Sequence, residues 1–313
     1  MSRIVFKRRS PTRGKSSEVQ SQPSPSKNLP KTVCWSDLPA WMRDNEHILN
    51  GYRRELNSWY SCFASIFAYL HNETVNIHSH LAGAMLFIFF SATYDSWHFS
   101  GYESVRWPDY VVFSIFLASA VWCLGCSAFF HVSTAHSEKV AARCHAYDYS
   151  GIVVLIVGSF YPCIYYTFFC ELHYQVFYLG TITVAGLGAS YIVLNPEYAK
   201  PSHRGARTQV FIALGLCGIF PVWHGLVSHG FSKVCEELGF HWLLLSGALY
   251  ITGALLYANR IPERFAPGKF DYFFASHQIF HFSVVAAALC HYTCILTAFN
   301  HWHSRTGVCI QVI

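Results

Sequence analysis

DYVVFSIFLASAVWCLGCSAFFHV, residues 109–132, is the stretch of sequence that decides the fold. After Asp109 this stretch carries no Asp, Glu, Lys or Arg. It is also as long as the about 20 consecutive apolar residues that a membrane-spanning helix needs. We therefore predict that residues 109–132 cross a lipid bilayer.

Six further apolar segments of similar length flank this stretch, separated by short polar connections. The composition agrees with a membrane protein, because 53% of the 313 residues are apolar and only 12% are charged. We predict an all-α membrane protein, a seven-transmembrane helix bundle. Its spans lie near residues 77–96, 109–132, 146–169, 174–194, 208–228, 240–259 and 275–298.

The segments outside the spans differ in character. The N-terminal stretch is rich in Ser, Pro, Lys and Arg, and it has too few apolar residues to offset the entropy of ordering. A later stretch places Trp59, Phe63 and Phe67 at helical spacing, which predicts an amphipathic helix on the membrane surface or against the bundle. The predicted domains are a disordered cytoplasmic tail (1–37), a cytoplasmic leading segment with the amphipathic helix (38–75), the seven-helix domain (76–300) and a short outer tail (301–313).

Positive charge is unevenly divided between the two ends of the predicted helices. Of the 22 Lys and Arg residues, 19 precede the first helix or follow the second, fourth and sixth helices. The exceptions are Arg106, Lys233 and Arg305. Because positive residues are retained in the cytoplasm, we predict a cytoplasmic N-terminus and an outer C-terminus, opposite to G-protein-coupled receptors. No basic face accompanies the +5 net charge, so no nucleic-acid partner is expected.

The cysteines fall largely within apolar runs, where a free cysteine behaves as a small hydrophobic residue. Cys123 and Cys126 have the spacing of a redox or metal half-site, but no second pair accompanies them and they lie in mid-helix. We interpret them as packing residues and predict no disulfide bond.

Four polar residues lie near the predicted cytoplasmic ends of the helices, where ionisable groups usually face a cavity. His131 ends the second helix, Asp148 begins the third, and His277 and His281 lie in the first turns of the seventh. The charge count places all four in one leaflet. His277 and His281 are four residues apart and share a helix face, and Ser127 and His131 repeat that spacing.

Three histidines and a carboxylate at one level suggest a zinc site. Three His ligands leave a fourth tetrahedral position for water, as in catalytic rather than structural zinc sites. Asp148 would orient or deprotonate that water, and Ser127 would donate to a substrate oxygen. Two alternatives stay open, namely that Asp148 caps a helix N-terminus and that Ser127 bonds its own helix. Glu73 could reach the same cavity, although a carboxylate at the boundary is usually solvated, and His80 is expected to snorkel towards the interface.

Several strings resemble the diagnostic motifs of the progestin and adipoQ receptor family. The resemblance covers roughly residues 38–298 and is closest to the adiponectin-receptor and haemolysin-III-like branch. His78 departs from it, because many members carry Trp there. The strings are Leu38-Pro39-Ala40-Trp41, Asn72-Glu73-Thr74-Val75-Asn76-Ile77, Ser127-x-x-x-His131, Asp148-Tyr149-Ser150-Gly151 and Ser276-His277-Gln278-Ile279-Phe280-His281.

The resemblance implies roles for individual residues. It implies that His131, His277 and His281 bind Zn²⁺, that Asp148 holds the metal-bound water, and that Ser127 lines the same pocket. Family membership is also associated with receptor signalling, with lipid, sterol and fatty-acid metabolism, with zinc homeostasis and, in some members, with hydrolysis of ceramide-type amides.

Three hypotheses for the function follow. The first is a receptor-like membrane protein with a zinc-dependent, ceramidase-like amide hydrolase activity. The second is a non-enzymatic receptor or scaffold with a purely structural zinc. The third, an ion channel or transporter, ranks last because the outer halves of the helices offer no row of polar residues. The expected partners are membrane lipid, such as ceramide or sterol, and an extracellular ligand, in the plasma membrane or an endomembrane.

Overall fold

The computed structural model describes residues 30–198 and 200–305. Within these residues, seven helical spans are long and apolar enough to cross a membrane, which confirms the predicted seven-helix class. The predicted tail as far as residue 29 and the end of the predicted outer tail from residue 306 lie outside the described residues. The spans are Thr74–Phe99, Trp107–Ser133, Glu138–Thr167, Leu172–Val193, Arg204–His229, Phe240–Phe265 and Ser276–Ser304.

The described residues form ten α-helices, two short strands, four short 3-10 helices and one π-helical turn. The strands β1 (Thr32–Val33) and β2 (Tyr52–Arg53) pair antiparallel. The helices are α1 (Trp59–Ala68), α2 (Thr74–Tyr94), α3 (Trp107–Ser133), α4 (Glu138–Thr167), α5 (Leu172–Val193), α6 (Arg204–Leu216), α7 (Ile219–His229), α8 (Phe231–Glu237), α9 (Phe240–Asn259) and α10 (Ser276–Arg305).

The fifth span is broken in the middle. Its two parts, α6 and α7, are separated at Cys217 and Gly218. Pro221 explains the position of the break, because a proline ring clashes with the carbonyl four residues earlier, here that of Cys217.

Three predicted boundaries are corrected. The helix of the third span begins at Glu138 rather than near residue 146. Its first turns are polar, and hydropathy detects only the apolar part of a helix that extends beyond the bilayer. Strand β1 lies within the stretch predicted as a disordered tail. Composition did not indicate this strand, because its pairing with β2 depends on backbone hydrogen bonds that composition does not encode. Helix α10 continues to Arg305, beyond the predicted end of the seventh span near residue 298.

Helices α3 and α4 approach each other closely along a face of small residues. A Cβ atom on Gly151 would lie 2.9 Å from the Cα of Cys123, and one on Gly158 would lie 2.7 Å from the Cβ of Ser119. Small residues permit such contacts between helices in a bilayer, where van der Waals packing replaces the hydrophobic effect. Cys123 is a buried free thiol in this contact, which fits its interpretation as a packing residue.

Residues 31–73, hereafter the cap segment, cover one end of the bundle, hereafter the capped face. Helices α2, α4, α6 and α10 begin at this face. Arg53 is only 2% exposed and donates hydrogen bonds to the carbonyls of His131 and Val132 at the end of α3. Asp44 forms ion pairs with Arg204 and Arg260. The surrounding protein opposes ionisation of Asp44, but Arg260 and then Arg204 hold its pKa at about 2, below the usual value.

Helix α1 lies within the cap segment and begins after Ser58, whose hydroxyl accepts a hydrogen bond from the Ser61 amide. Its small residues Cys62 and Ser65 are buried, whereas Tyr60 and Phe67 are more than 80% exposed. Exposed aromatic side chains beside a spanning bundle suit the membrane interface. The predicted amphipathic helix therefore buries its small residues against the bundle and presents Tyr60 and Phe67 outward, while Trp59 stacks on Phe129 of α3.

The cysteines require one correction. Cys170, in the short connection between α4 and α5, is disulfide-bonded, whereas the sequence predicts no disulfide. This connection lies at the end of the bundle opposite the capped face, hereafter the open face. Cysteine spacing did not reveal the bond, because disulfide pairing depends on distances between chain segments that meet only in the fold.

Candidate metal centre

His131, His277 and His281 meet between α3 and α10 near the capped face. Their ring centroids form an almost equilateral triangle with sides of 4.7, 4.8 and 4.9 Å. One possible ligand atom from each residue lies within 4.8 Å of the others. His131 and His281 are each 1% exposed, and His277 is partly buried. This buried group can therefore bind one metal ion.

The first turns of α2 orient two of the three imidazoles. His131 Nδ1 donates a hydrogen bond of 2.6 Å to Glu73 Oε2. His281 Nδ1 lies 3.1 Å from the carbonyl oxygen of Asn76. The Asn76 side-chain amide in turn donates to Glu73 Oε2 at 2.7 Å. Both histidines thus use Nδ1 for hydrogen bonds within the protein and keep Nε2 for a ligand.

The donor set fits zinc. His131 Nε2 is buried and has no hydrogen-bond partner among the described residues, as expected for a nitrogen reserved for a metal. A carboxylate that accepts the second N–H of a metal-binding imidazole is a common feature of zinc sites, because it fixes the tautomer and ring orientation. Neutral imidazole nitrogens are ligands that Zn²⁺ accepts in tetrahedral sites.

Asp148 and Ser127 lie beside this group. Asp148 is near enough to His131 and Ser127 for both to influence the charge of its carboxylate. Asp148 lies well inside α4, which begins at Glu138 with Ser137 as the preceding residue. The interpretation of Asp148 as a helix cap is therefore wrong. The close contact of α3 and α4 at Gly151 brings the aspartate and serine together.

Glu73, which directly precedes α2, and His80 within α2 depart from their expected environments. Glu73 is not fully solvated; its side chain is 24% exposed and bonded to His131. His80 does not reach the interface; it is 3% exposed and stacks on His281 with 3.6 Å between ring centroids. Glu73, Asn76 and His80 are spaced by three and four residues, so they lie on one helix face. From that spacing, the sequence could have predicted that these residues belong to the site.

Replacing Glu73 with Gln should weaken zinc binding while leaving the fold intact. Glutamine retains an acceptor oxygen but removes the negative charge from the hydrogen bond to His131 Nδ1. We expect the zinc dissociation constant, measured by chelator competition on purified protein, to rise on the order of 10- to 100-fold. The matched control is Glu55→Gln, an exposed carboxylate of the cap segment. Equal zinc affinity in the two variants would show that Glu73 does not support the site.

The chain is similar to proteins of one family along most of its length. A profile of the haemolysin-III related family matches residues 68–292. Progestin and adipoQ receptor-like protein 1 of Caenorhabditis elegans is 41% identical over 263 residues, which cover 84% of this chain and 59% of the relative. The chain therefore spans less than two thirds of that nematode protein.

Other relatives align over most of their own length. ADIPOR-like receptor IZH2 of Saccharomyces cerevisiae is 38% identical over 295 residues, covering 93% of this chain and 92% of the yeast protein. Heptahelical transmembrane protein 1 of Arabidopsis thaliana is 34% identical over 284 residues, covering 88% of this chain and 83% of the plant protein. The name of the plant relative agrees with seven helices.

Proposed function

This chain belongs to the haemolysin-III related family and is an adiponectin-receptor-like, multi-pass membrane protein; on that premise, we propose that it is a zinc-dependent hydrolase of ceramide-type amides. The zinc ion would be held by His131, His277 and His281. Release of a fatty acid and a sphingoid base would connect the protein to lipid metabolism and signalling. Its zinc site would also make it responsive to zinc supply.

One observation carries the catalytic proposal. Asp148 and Ser127 lie beside the three histidines, although neither is needed to hold a metal ion and Asp148 does not cap its helix. A purely structural zinc usually has four protein ligands, whereas three ligands with a nearby carboxylate are typical of hydrolytic sites. The neighbouring polar pair therefore supports chemistry at the site.

The reaction adds the oxygen of one water molecule to the amide carbon and breaks the carbon–nitrogen bond. Bound zinc would supply the Lewis acidity that polarises the amide carbonyl. Asp148 would accept the proton from the attacking water and return it to the leaving amine. Ser127 would hold Asp148 or donate to the substrate oxygen. An apolar substrate would reach the site from the bilayer.

The test is hydrolysis by the full-length protein purified in detergent. A ceramide with a labelled acyl chain should yield labelled fatty acid, and removal of the metal with a chelator should stop the release until zinc is restored. A protein that binds zinc but releases no fatty acid from a panel of ceramides would refute the catalytic proposal. The same result would favour the alternative of a receptor or scaffold in which zinc only joins α3 to α10.

We further infer that the capped face is cytoplasmic. Two lines support this inference: the Lys and Arg residues of the cap segment and of the connections after the second, fourth and sixth spans lie at that face, and Cys170 at the open face is disulfide-bonded. Disulfides persist in oxidising compartments rather than in the cytosol. An epitope at the N-terminus should bind antibody only after the plasma membrane is permeabilised. Binding in intact cells, with the protein at the surface, would reverse the orientation.

A further inference from the structure

A long groove on the outer surface of the bundle follows α3 between α2 and α4. It has a volume of about 730 Å³, within the range of about 300–1,000 Å³ that is usual for pockets that bind one small molecule. Most of the lining residues belong to α3, which therefore forms the floor. The lining residues are Ile88, Ser91, Ala118, Val121, Trp122, Gly125, Cys126, Phe129 and Tyr147.

The groove is apolar along its length. Ile88, Trp122 and Phe129 are 39–53% exposed, although they lie within spanning helices. The Ser91 hydroxyl is already bonded to the Phe87 carbonyl at 2.8 Å. A Cβ atom on Gly125 would meet no other atom within 4 Å, so the floor is open there. Such a surface suits a hydrocarbon chain.

The end of the groove near the capped face has a different chemistry. Tyr147 lines this end and is 57% exposed. Arg143 and Lys139 precede it at intervals of four residues on α4, so the three side chains follow one face of the helix. Both cations are exposed. No hydrogen bond or ion pair joins Lys139 or Arg143 to another residue in the part of the chain that the structure describes.

From this arrangement we propose that the groove binds an anionic phospholipid of the leaflet at the capped face. One acyl chain lies along α3 over Gly125. Tyr147 lies at the level of the ester groups, where tyrosine is commonly found in membrane proteins. Arg143 and Lys139 contact the phosphate, as basic residues beside a membrane helix do with anionic lipids. This site is separate from the metal centre and does not depend on the proposed hydrolysis.

The bound lipid contacts the outward faces of the helices that carry the metal site on their inward faces. On α3, Cys126 and Phe129 line the groove, whereas the nearby residues Ser127 and His131 lie on the side of the metal site. On α4, Tyr147 lines the groove and directly precedes Asp148. Because lipid in the groove contacts both α3 and α4, it stabilises their packing. Thermal stability should therefore rise when the site is filled.

Native mass spectrometry of the full-length protein in detergent tests the site. The probes are phosphatidylglycerol and phosphatidylcholine with identical acyl chains, and glycerol phosphate as a headgroup without chains. We expect the wild type to retain one phosphatidylglycerol on the order of 10-fold more strongly than phosphatidylcholine, to bind no glycerol phosphate and to melt at a higher temperature with phosphatidylglycerol. Equal retention of the two lipids would overturn the assignment of the phosphate to Arg143 and Lys139.

Two variants separate the contributions of the headgroup and the chain. Lys139→Gln combined with Arg143→Gln should abolish the preference for phosphatidylglycerol, whereas Lys233→Gln, an exposed cation at the open face, should preserve it. Gly125→Leu should reduce retention of both lipids, because the new side chain fills the floor and leucine favours a helix more than glycine does. Its control is Gly180→Leu on α5, where a Cβ atom also meets open space. Undiminished retention by Gly125→Leu would place the lipid elsewhere.

Discussion

Replacing His277 with alanine should reduce the zinc content of the purified protein from about one ion per chain to nearly none. The three histidines supply all the protein ligands that we assign to the metal, and their ring centroids lie at almost equal distances. Loss of one imidazole leaves two ligands, which is too few for the usual protein site. Elemental analysis of the detergent-purified protein measures the outcome, and His131→Ala should behave in the same way.

A matched variant distinguishes loss of a ligand from loss of packing. His291 also lies on α10 and is buried, but it bonds to the Ser159 carbonyl at 2.9 Å and does not belong to the metal group. His291→Ala should lower thermal stability and retain zinc. If His277→Ala and His131→Ala both retain zinc at the level of the parent protein, the assigned metal centre is wrong.

Replacing Asp148 with asparagine should lower ceramide hydrolysis by about 10²- to 10⁴-fold, the usual effect of removing a general base. Asparagine has nearly the same size and can still bond to Ser127, but it cannot accept the proton. Because Asp148 is not one of the three proposed ligands, zinc content and melting temperature should change little. The measurements are the initial rate of fatty-acid release and the metal content of the same preparation.

The control for this substitution is Asp37→Asn, which removes an exposed carboxylate from the cap segment. It should hydrolyse ceramide at the parental rate. Two results would contradict the role of Asp148. Full activity in Asp148→Asn would exclude it as the base, and loss of zinc together with activity would assign it to metal binding instead.

Local sequence patterns predicted much of the candidate metal centre. His277 and His281 share a helix face because they are four residues apart, and the charge count placed His131 and Asp148 at the same end of the bundle. The structure brings the three histidines together, although almost 150 residues separate His131 from His281. Hydropathy, helical spacing and charge bias each depend on residues near one another in the chain, so all three could be read without the fold.

The residues that surround the three histidines were harder to predict from the sequence. Glu73 precedes the first spanning helix, and a boundary carboxylate is usually solvated; its bond to His131 joins residues 58 positions apart. His80 was expected at the interface, yet it stacks on His281 across the contact of α2 and α10. These environments depend on how the helices are arranged around one another, which the apolar period of each helix does not specify.

The sequence by itself determined seven apolar spans, because a bilayer requires each spanning segment to satisfy its own backbone hydrogen bonds in a helix of sufficient length. It also indicated which polar residues share one end of the bundle. Only the tertiary structure decided that Glu73 and Asn76 orient two histidines, that Asp148 does not cap α4, and that α3 is recessed behind a lipid-facing groove. The physical reason is that these features arise from packing between helices, and close packing depends on the shapes of side chains from distant parts of the chain.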